Sequence, residues 1–432
     1  MRPATGPIQG DARVATLDVI RGTALFGILL MNITMFGLPM SYSDPTVWGG
    51  STGPNLWAWT IATIGFEGTQ RGLFSILFGA GLVLLSSRLE AKHPNAADIF
   101  YRRSLWLVVF GIIHSYLLLW TGEILYFYGL TALFVYVMRH LRPRALLAIA
   151  IAGFLFGAGW NVIDSYRAER KHDKAQVAQA ILTAGGKLSE DAQDDLDAWK
   201  ELEKHAKPDE KKLARDLEAH RGSYTDVVAF QAPQNADYET WFAYRYFFDI
   251  FSMLLVGMAL YKWGVLTLER PSSLYWTLVL VGYAVGLSVN YYEWRVIVDG
   301  QFSVLAFMRA AWTYDLGRLA MTAGHLGALL LFCRSGWFPW LRRSLAAVGR
   351  LALSNYLTHS IVCAIVFYGF GFGLYGRLER YQLYYVVVSI WVFQLIASPI
   401  WLRYYRFGPF EWLWRWLTYL EKPPMRVSGR PI

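Results

Sequence analysis

The run Leu17-Asp18-Val19-Ile20-Arg21-Gly22 opens an apolar segment that continues through Ala24-Leu25-Phe26-Gly27-Ile28-Leu29-Leu30-Met31-Asn32 without a further charge. A charged side chain in hydrocarbon costs from about 2.5 kcal/mol upward, so charges inside such a segment mark a functional face or an ion pair that pins the helix to a neighbour. On a helix turning about 100° per residue, Asp18, Arg21 and Asn32 project within roughly 60° of one another. This spacing predicts one membrane helix with a single polar face.

Working outward, about 20 apolar residues cross a bilayer core of roughly 30 Å. Segments of that kind recur near 17–38, 56–87, 104–120, 123–138, 144–163, 240–262, 273–290, 305–333, 345–370 and 382–402, which makes about ten. The second is interrupted by Glu67, Gln70 and Arg71 and is expected to be tilted or broken. The expected fold class is all-α, a polytopic membrane helical bundle. Its aromatic load of 19 Trp, 26 Tyr and 26 Phe fits interfacial belts better than a soluble core. Arg2 and Arg13 precede the first segment as in a signal peptide, but no small-residue cleavage site follows a short apolar core, so the helix is expected to be retained.

Residues 164–238 hold 16 of the 32 acidic and 12 of the 41 basic residues, leaving 29 basic against 16 acidic in the rest of the chain. With the N-terminus placed in the cytoplasm, the basic excess falls in the loops 88–103, 139–144, 262–270 and 334–343 and in the tail with Arg403, Arg406, Lys422, Arg426 and Arg430. The intervening loops are mixed or acidic. This follows the positive-inside rule and excludes nucleic acid as the meaning of the net charge of +9. Three regions are expected: an N-terminal transmembrane half (1–163), a charged helical insert on the periplasmic or extracellular side (164–238), and a C-terminal transmembrane half (239–432). The insert alternates acid and base, as in Asp194-Asp195-Leu196-Asp197-Ala198-Trp199-Lys200-Glu201, and reads as solvated helices forming a cap or a passive insertion. The Trp-rich stretch Phe410–Leu420 is too short to span and is expected at the interface.

Polar residues recur inside the apolar segments. Glu67, Arg71 and Ser75 follow i, i+4, i+8, so the acid and base can neutralise each other. His114 ends the third segment and Glu123 opens the fourth across a tight turn, close enough to meet; a His oriented by a carboxylate is what a general base requires. Asp315, Arg318 and His325 project within about 80° of one another. Asn355 and His359 form an i, i+4 pair, as do Arg245 and Asp249. Together these groups predict an enclosed wet cavity. Cys333 and Cys363 read as small buried hydrophobes, no His or Cys spacing indicates a metal, and no phosphate-cradling glycine motif supports nucleotide-driven transport.

The ordered set Arg13, Leu17-Asp18-Val19-Ile20-Arg21-Gly22, Asn32, Leu73-Phe74-Ser75-Ile76-Leu77-Phe78-Gly79-Ala80-Gly81, His114, Trp120-Thr121-Gly122-Glu123, Gly349-Arg350-Leu351-Ala352-Leu353-Ser354-Asn355-Tyr356 and Phe407-Gly408-Pro409-Phe410-Glu411-Trp412 resembles the bacterial YeiB family. The C-terminal half of that family is a domain of unknown function, number 418. The family in turn resembles, mainly in the first helices, the heparan-alpha-glucosaminide N-acetyltransferase group of the transmembrane acyltransferase superfamily. The resemblance implies acyl transfer from cytoplasmic acyl-CoA, acetyl-CoA foremost, to a glycan or small-molecule acceptor on the far side of a bacterial inner membrane. It also implies a homodimer among membrane lipids, and places Asp18, Arg21 and Asn32 near the acyl group. Two departures stand out: Ile33–Pro54 lacks the histidine that the eukaryotic enzymes carry there, and Glu123 stands where YeiB-like chains usually have Asp.

Acyl transfer needs a base for the acceptor and donors for the developing oxyanion. His114 held by Glu123 is the expected base, with His359 as competitor, and Asn32 and Asn355 are the expected amide donors. Arg21, Arg71 and Arg318 would stabilise negative charge or anchor buried carboxylates. Arg102, Arg103, Arg342, Arg343 and Arg350 would meet CoA phosphates, or serve only as topology determinants. The same polar face would also suit a transporter or exporter of a small polar or lipid-linked solute, or a binding scaffold without chemistry.

Overall fold

The computed structural model describes residues 15–427, apart from the side chains of residues 205, 242 and 243. Arg2, Arg13 and Arg430 lie outside the described residues. Every named element among them is a helix: α1 (Ala15–Gly37), α2 (Gly53–Phe66), α3 (Thr69–Lys92), α4 (Ala96–Tyr116), α5 (Leu125–Val135), α6 (Pro143–Thr183), α7 (Glu190–Ala206), α8 (Glu210–Arg221), α9 (Tyr224–Asp237), α10 (Ala243–Lys262), α11 (Ser272–Asp299), α12 (Val304–Ala310), α13 (Tyr314–Ser335), α14 (Pro339–Arg350), α15 (Ala352–Phe367), α16 (Arg380–Tyr404) and α17 (Pro409–Tyr419).

The chain is a multi-pass membrane protein. Among the described residues six helical stretches are long and apolar enough to cross, or up to eight when each of two bent pairs, α9 with α10 and α14 with α15, counts as one span. That is fewer than the ten segments read from the sequence. The 21-residue α4 carries Arg102 and Arg103 side by side, and α5 has only 11 residues. Leu155, Leu280 and Phe393 project outward from α6, α11 and α16, each more than 60% exposed, as lipid-facing positions do.

Helix α1 is the axis of the bundle. Ile20, Ala24, Leu25 and Ile33 on it are fully buried, and it packs against α3, α14, α15 and α16. Close approach depends on small residues: a Cβ on Gly349 of α14 would stand 1.9 Å from the Asp18 carbonyl oxygen. Helices α3 and α10 meet the same way, Gly79 against the Leu254 carbonyl and Gly257 against the Ile76 carbonyl.

The long second segment is broken. Helix α2 ends at Phe66, and Gly68 adopts φ +68°, a left-handed conformation that favours glycine, before α3 begins. The charged insert starts without a joint, because the 41-residue α6 runs from the apolar span straight through residue 164. Its later helices are locally specified: Ser189 and Asp209 cap α7 and α8, and Ser223 with Asp226 forms a capping box on α9. The insert folds back as a cap on one end of the bundle. The Gly369 amide donates to the His220 carbonyl at 2.8 Å, Arg221 Nε to the Tyr375 carbonyl at 3.0 Å, and Asn235 Nδ2 to the Ser115 carbonyl at 2.9 Å.

Candidate functional site

At the capped end, α4 stops and the chain turns through Leu119, Trp120 and Thr121 before α5. This turn brings Glu123 back onto the helix it has just left. His114 Nδ1 lies 2.8 Å from Glu123 Oε1, and both side chains are fully buried. The other carboxylate oxygen accepts the Tyr126 backbone N–H at 2.7 Å. A carboxylate held as an acceptor takes a proton bond from Nδ1, which leaves Nε2 as the acceptor nitrogen of the ring. Nε2 meets Ser360 Oγ of α15 at 2.7 Å, with Ser360 only 1% exposed. The three side chains form one chain of hydrogen bonds, hydroxyl to imidazole to carboxylate, the arrangement that activates a serine as nucleophile.

The surroundings hold the ring still. Tyr356, one turn before Ser360, packs edge-on against His114 with centroids 4.9 Å apart. Trp120 Nε1 donates to the Tyr356 hydroxyl at 3.2 Å, and Phe36 of α1 stacks on Trp120 at 4.2 Å. Asn32 is half-buried one turn before Phe36 on the same helix face.

Trp120 and Thr121 also form part of the wall of a chamber of about 460 Å³ between the bundle and its cap. The end of α1, the Ser41–Val47 loop, α12 and the cap contribute the rest. Asp216 and His220 of α8 line it, joined Oδ1 to Nδ1 at 2.6 Å. The His220 ring stacks on Tyr375 at 4.3 Å, and the Tyr375 hydroxyl donates to Asp216 at 3.1 Å. Ser41 Oγ and Gln231 Oε1 in the same wall are buried and make no hydrogen bond within the protein.

A second buried cluster adjoins the chamber through Tyr42, whose hydroxyl donates to Glu67 at 3.2 Å. Arg71 does not pair with Glu67. It reaches across to Asp249 of α10 at 3.3 Å, and Arg318 holds the other oxygen of Asp249 at 2.7 Å. Arg318 also pairs with Asp315 at 2.8 Å, and Asn161 of α6 donates to Asp315 at 3.0 Å. Arg245, expected beside Asp249, instead bonds Asn161 and Asp164. Arg318 is 2% exposed, and its Nε and Nη1 make no hydrogen bond within the protein. His325 stands apart, two turns further along α13, between the rings of Phe66 and Tyr283.

The remaining sequence candidates fall elsewhere. Asp18 and Arg21 form the expected pair at 2.8 Å, with Arg21 also on the Gly349 carbonyl, but 14 and 11 residues of helix place them roughly 21 and 16 Å from Asn32, towards the opposite end of the bundle. His359 Nε2 bonds Gln394 of α16 at 3.0 Å, and Asn355 Nδ2 donates to the Val348 carbonyl and to Ser398 Oγ, both at 3.2 Å. The Asn355 amide is therefore engaged in joining α14, α15 and α16. Arg102 donates to the Thr418 carbonyl, Arg103 lies 3.5 Å over the Trp414 ring, and Arg342 donates to the Cys333 and Gly336 carbonyls. Arg343 and Arg350 are exposed. The single polar cavity anticipated from the sequence is thus several separate clusters; none of the ionisable side chains expected in it lines the chamber, which two of the clusters approach through Trp120 and Tyr42. Among the described residues no group of His, Cys, Asp and Glu could hold a metal ion.

Sequence reasoning missed Ser360, Asp216, His220, Gln231 and Tyr375. Ser360 adjoins His359, and Asp216, His220 and Gln231 sit in the charged stretch expected as a cap or a passive insertion, whose alternating charges do not mark which residues face inward.

A protein of Escherichia coli K12, "Uncharacterized protein YeiB", is 30% identical to this chain over 433 residues, covering 97% of the chain and 98% of the relative. The chain belongs to the YeiB family. Residues 260–421 match the model of a family described as "Protein of unknown function (DUF418)". "Uncharacterized protein YxaH" of Bacillus subtilis 168 is 26% identical over 97% of both chains. A Bacillus acidopullulyticus protein, "Uncharacterized 39.9 kDa protein in amylase 3'region", is also 26% identical, over 98% of both. No solved structure matches.

Proposed function

We propose that this YeiB-family chain is a membrane acyltransferase that moves an acyl group, acetyl foremost, from cytoplasmic acyl-CoA to a hydroxyl or amine acceptor at the outer face of the bacterial inner membrane. The observation that carries this reading is the buried hydrogen-bond chain of Glu123, His114 and Ser360 beneath the capped chamber. Acyl transfer needs a base whose tautomer is fixed, and a carboxylate on Nδ1 fixes it. The series of acid, imidazole and hydroxyl, closed to solvent, supports this reading because each group orients the next.

In this reading the N-terminus is cytoplasmic and the cap is periplasmic or extracellular, following the basic short loops. The chamber takes the acceptor, a glycan or small molecule, with Ser41 Oγ and Gln231 Oε1 left to bond it and Trp120, Tyr368 and Tyr375 supplying apolar walls. Asn32 remains the donor candidate for the oxyanion. CoA approaches from the opposite end, where the exposed Arg343 is placed to meet its phosphates. Surrounding lipids and a second copy of the chain complete the environment.

One observation favours a second reading. The cluster of Arg71, Asp249, Arg318 and Asp315 lies on other helices than the Glu123–His114–Ser360 chain and resembles the ion-paired interior of a transporter for a small polar or lipid-linked solute. Purified protein in liposomes, given acetyl-CoA labelled in the acetyl group, separates the two. Release of free CoA that depends on His114 supports the enzyme. Solute uptake with the thioester intact overturns it in favour of transport.

A further inference from the structure

We propose that acyl transfer proceeds in two steps through a covalent ester on Ser360; this rests on the acyltransferase reading above. A one-step mechanism requires the acceptor to lie within hydrogen-bond reach of His114 Nε2, because that nitrogen must take its proton. In the structure Nε2 is already occupied by Ser360 Oγ at 2.7 Å. The base is therefore aligned on the protein's own hydroxyl. The pairing points the same way: in a neutral ring that donates from Nδ1 to Glu123, Nε2 is the acceptor and Ser360 Oγ is the donor it faces.

In the first step Ser360 Oγ attacks the thioester carbonyl carbon while its proton passes to His114 Nε2. The carbon–oxygen bond forms, the carbon–sulfur bond breaks, and the imidazolium returns the proton to the departing sulfur as CoA thiol. In the second step the acceptor's hydroxyl or amine attacks the Ser360 ester, giving its proton to Nε2. The ester bond then breaks and the proton returns to Ser360 Oγ. No oxidant, reductant or further reactant is required. Ser360 at 1% exposure and His114 at 0% are closed to bulk water, which would protect an ester there, and a substrate reaches them only when the side chains packed over them move. The relay also explains how a donor and an acceptor arriving from opposite ends of the bundle need never meet.

The half-reaction can be tested without knowing the acceptor. Full-length protein in liposomes is incubated with acetyl-labelled acetyl-CoA, and separately with acetyl-CoA plus labelled free CoA. Wild type is expected to carry label on the peptide containing Ser360 and to exchange labelled CoA into acetyl-CoA. Ser360→Ala should lose both by at least 100-fold while eluting as the same monodisperse species. Ser360→Cys should regain a label that neutral hydroxylamine releases. Exchange undiminished in Ser360→Ala, or thioester consumption without label on the wild-type chain, overturns the relay and leaves acyl transfer standing. Neither exchange nor thioester consumption by wild type overturns both.

Discussion

Glu123 meets His114 at 2.8 Å across a turn of eight intervening residues, and neither side chain has any contact with solvent. The pair is local in sequence, nine residues apart, while the Ser360 contact comes from the distant α15. Glu123→Gln keeps the shape but removes the charge that stabilises the imidazolium. CoA release from acetyl-CoA is expected to fall by about 10²–10⁴-fold, with a thermal midpoint close to wild type. An unchanged rate with normal folding would remove this pair from the chemistry.

Asp249 ties α10 to α3 and α13 through two arginines. Removing one member of a buried ion network leaves the others uncompensated, which costs about 3–5 kcal/mol. Asp249→Asn is therefore expected to lower the thermal midpoint in detergent sharply. Asp249→Leu combined with Arg318→Met should recover part of that loss, and a combined variant no better than the single one would contradict the account.

Gly79 and Gly257 let α3 and α10 touch backbone to backbone, each Cβ position lying 2.0 Å from a carbonyl oxygen of the other helix. Substitution by Ala has to separate the helices, at about 1–3 kcal/mol. Gly81, whose Cβ would meet nothing within 4 Å, serves as the control. Gly79→Ala should denature several degrees earlier than Gly81→Ala when both are heated in the same detergent.

The cap is fastened by a titratable bond. Burial, and the Asp216 carboxylate beside it, hold the Tyr375 hydroxyl protonated well above the ordinary tyrosine range. A group whose pKa is raised on folding stabilises fully below its unfolded value, about 10, and loses that contribution as pH rises beyond it. Hydrogen exchange over residues 210–235 should accelerate above about pH 10 in wild type. Tyr375→Phe should show faster exchange already at pH 7 and a weaker alkaline rise.

How much of this was readable beforehand follows from sequence distance. The helical class, the Asp18–Arg21 and Asp315–Arg318 pairs and the His114–Glu123 contact all depend on spacing within one helix or across one tight turn. The same i, i+4 logic failed for Glu67 with Arg71 and for Arg245 with Asp249. The break at Gly68 takes Glu67 off the α3 stripe, and both arginines find carboxylates or amides on other helices, where packing rather than period decides. Ser360 is 246 residues from His114, and Tyr375 is 159 from Asp216. Such contacts exist only once α15 and the cap have docked, and no local pattern encodes them. The cap was legible as helical, yet its inward face was not. Two residues, Asp216 and His220, look the same in a solvated i, i+4 pair as in a chamber wall.

The unbroken α6 has a mechanical consequence. At 1.5 Å per residue its 41 residues form a rod of roughly 60 Å, twice the hydrocarbon thickness, one half clasped by lipid and the other bearing α7 and the rest of the cap. With no hinge between the halves, a few degrees of tilt at the membrane become several ångströms of travel at the far tip. The apolar span and the base of the cap are therefore one rigid piece, and the bonds of Arg221 and Asn235 to the bundle are what hold its far side in register.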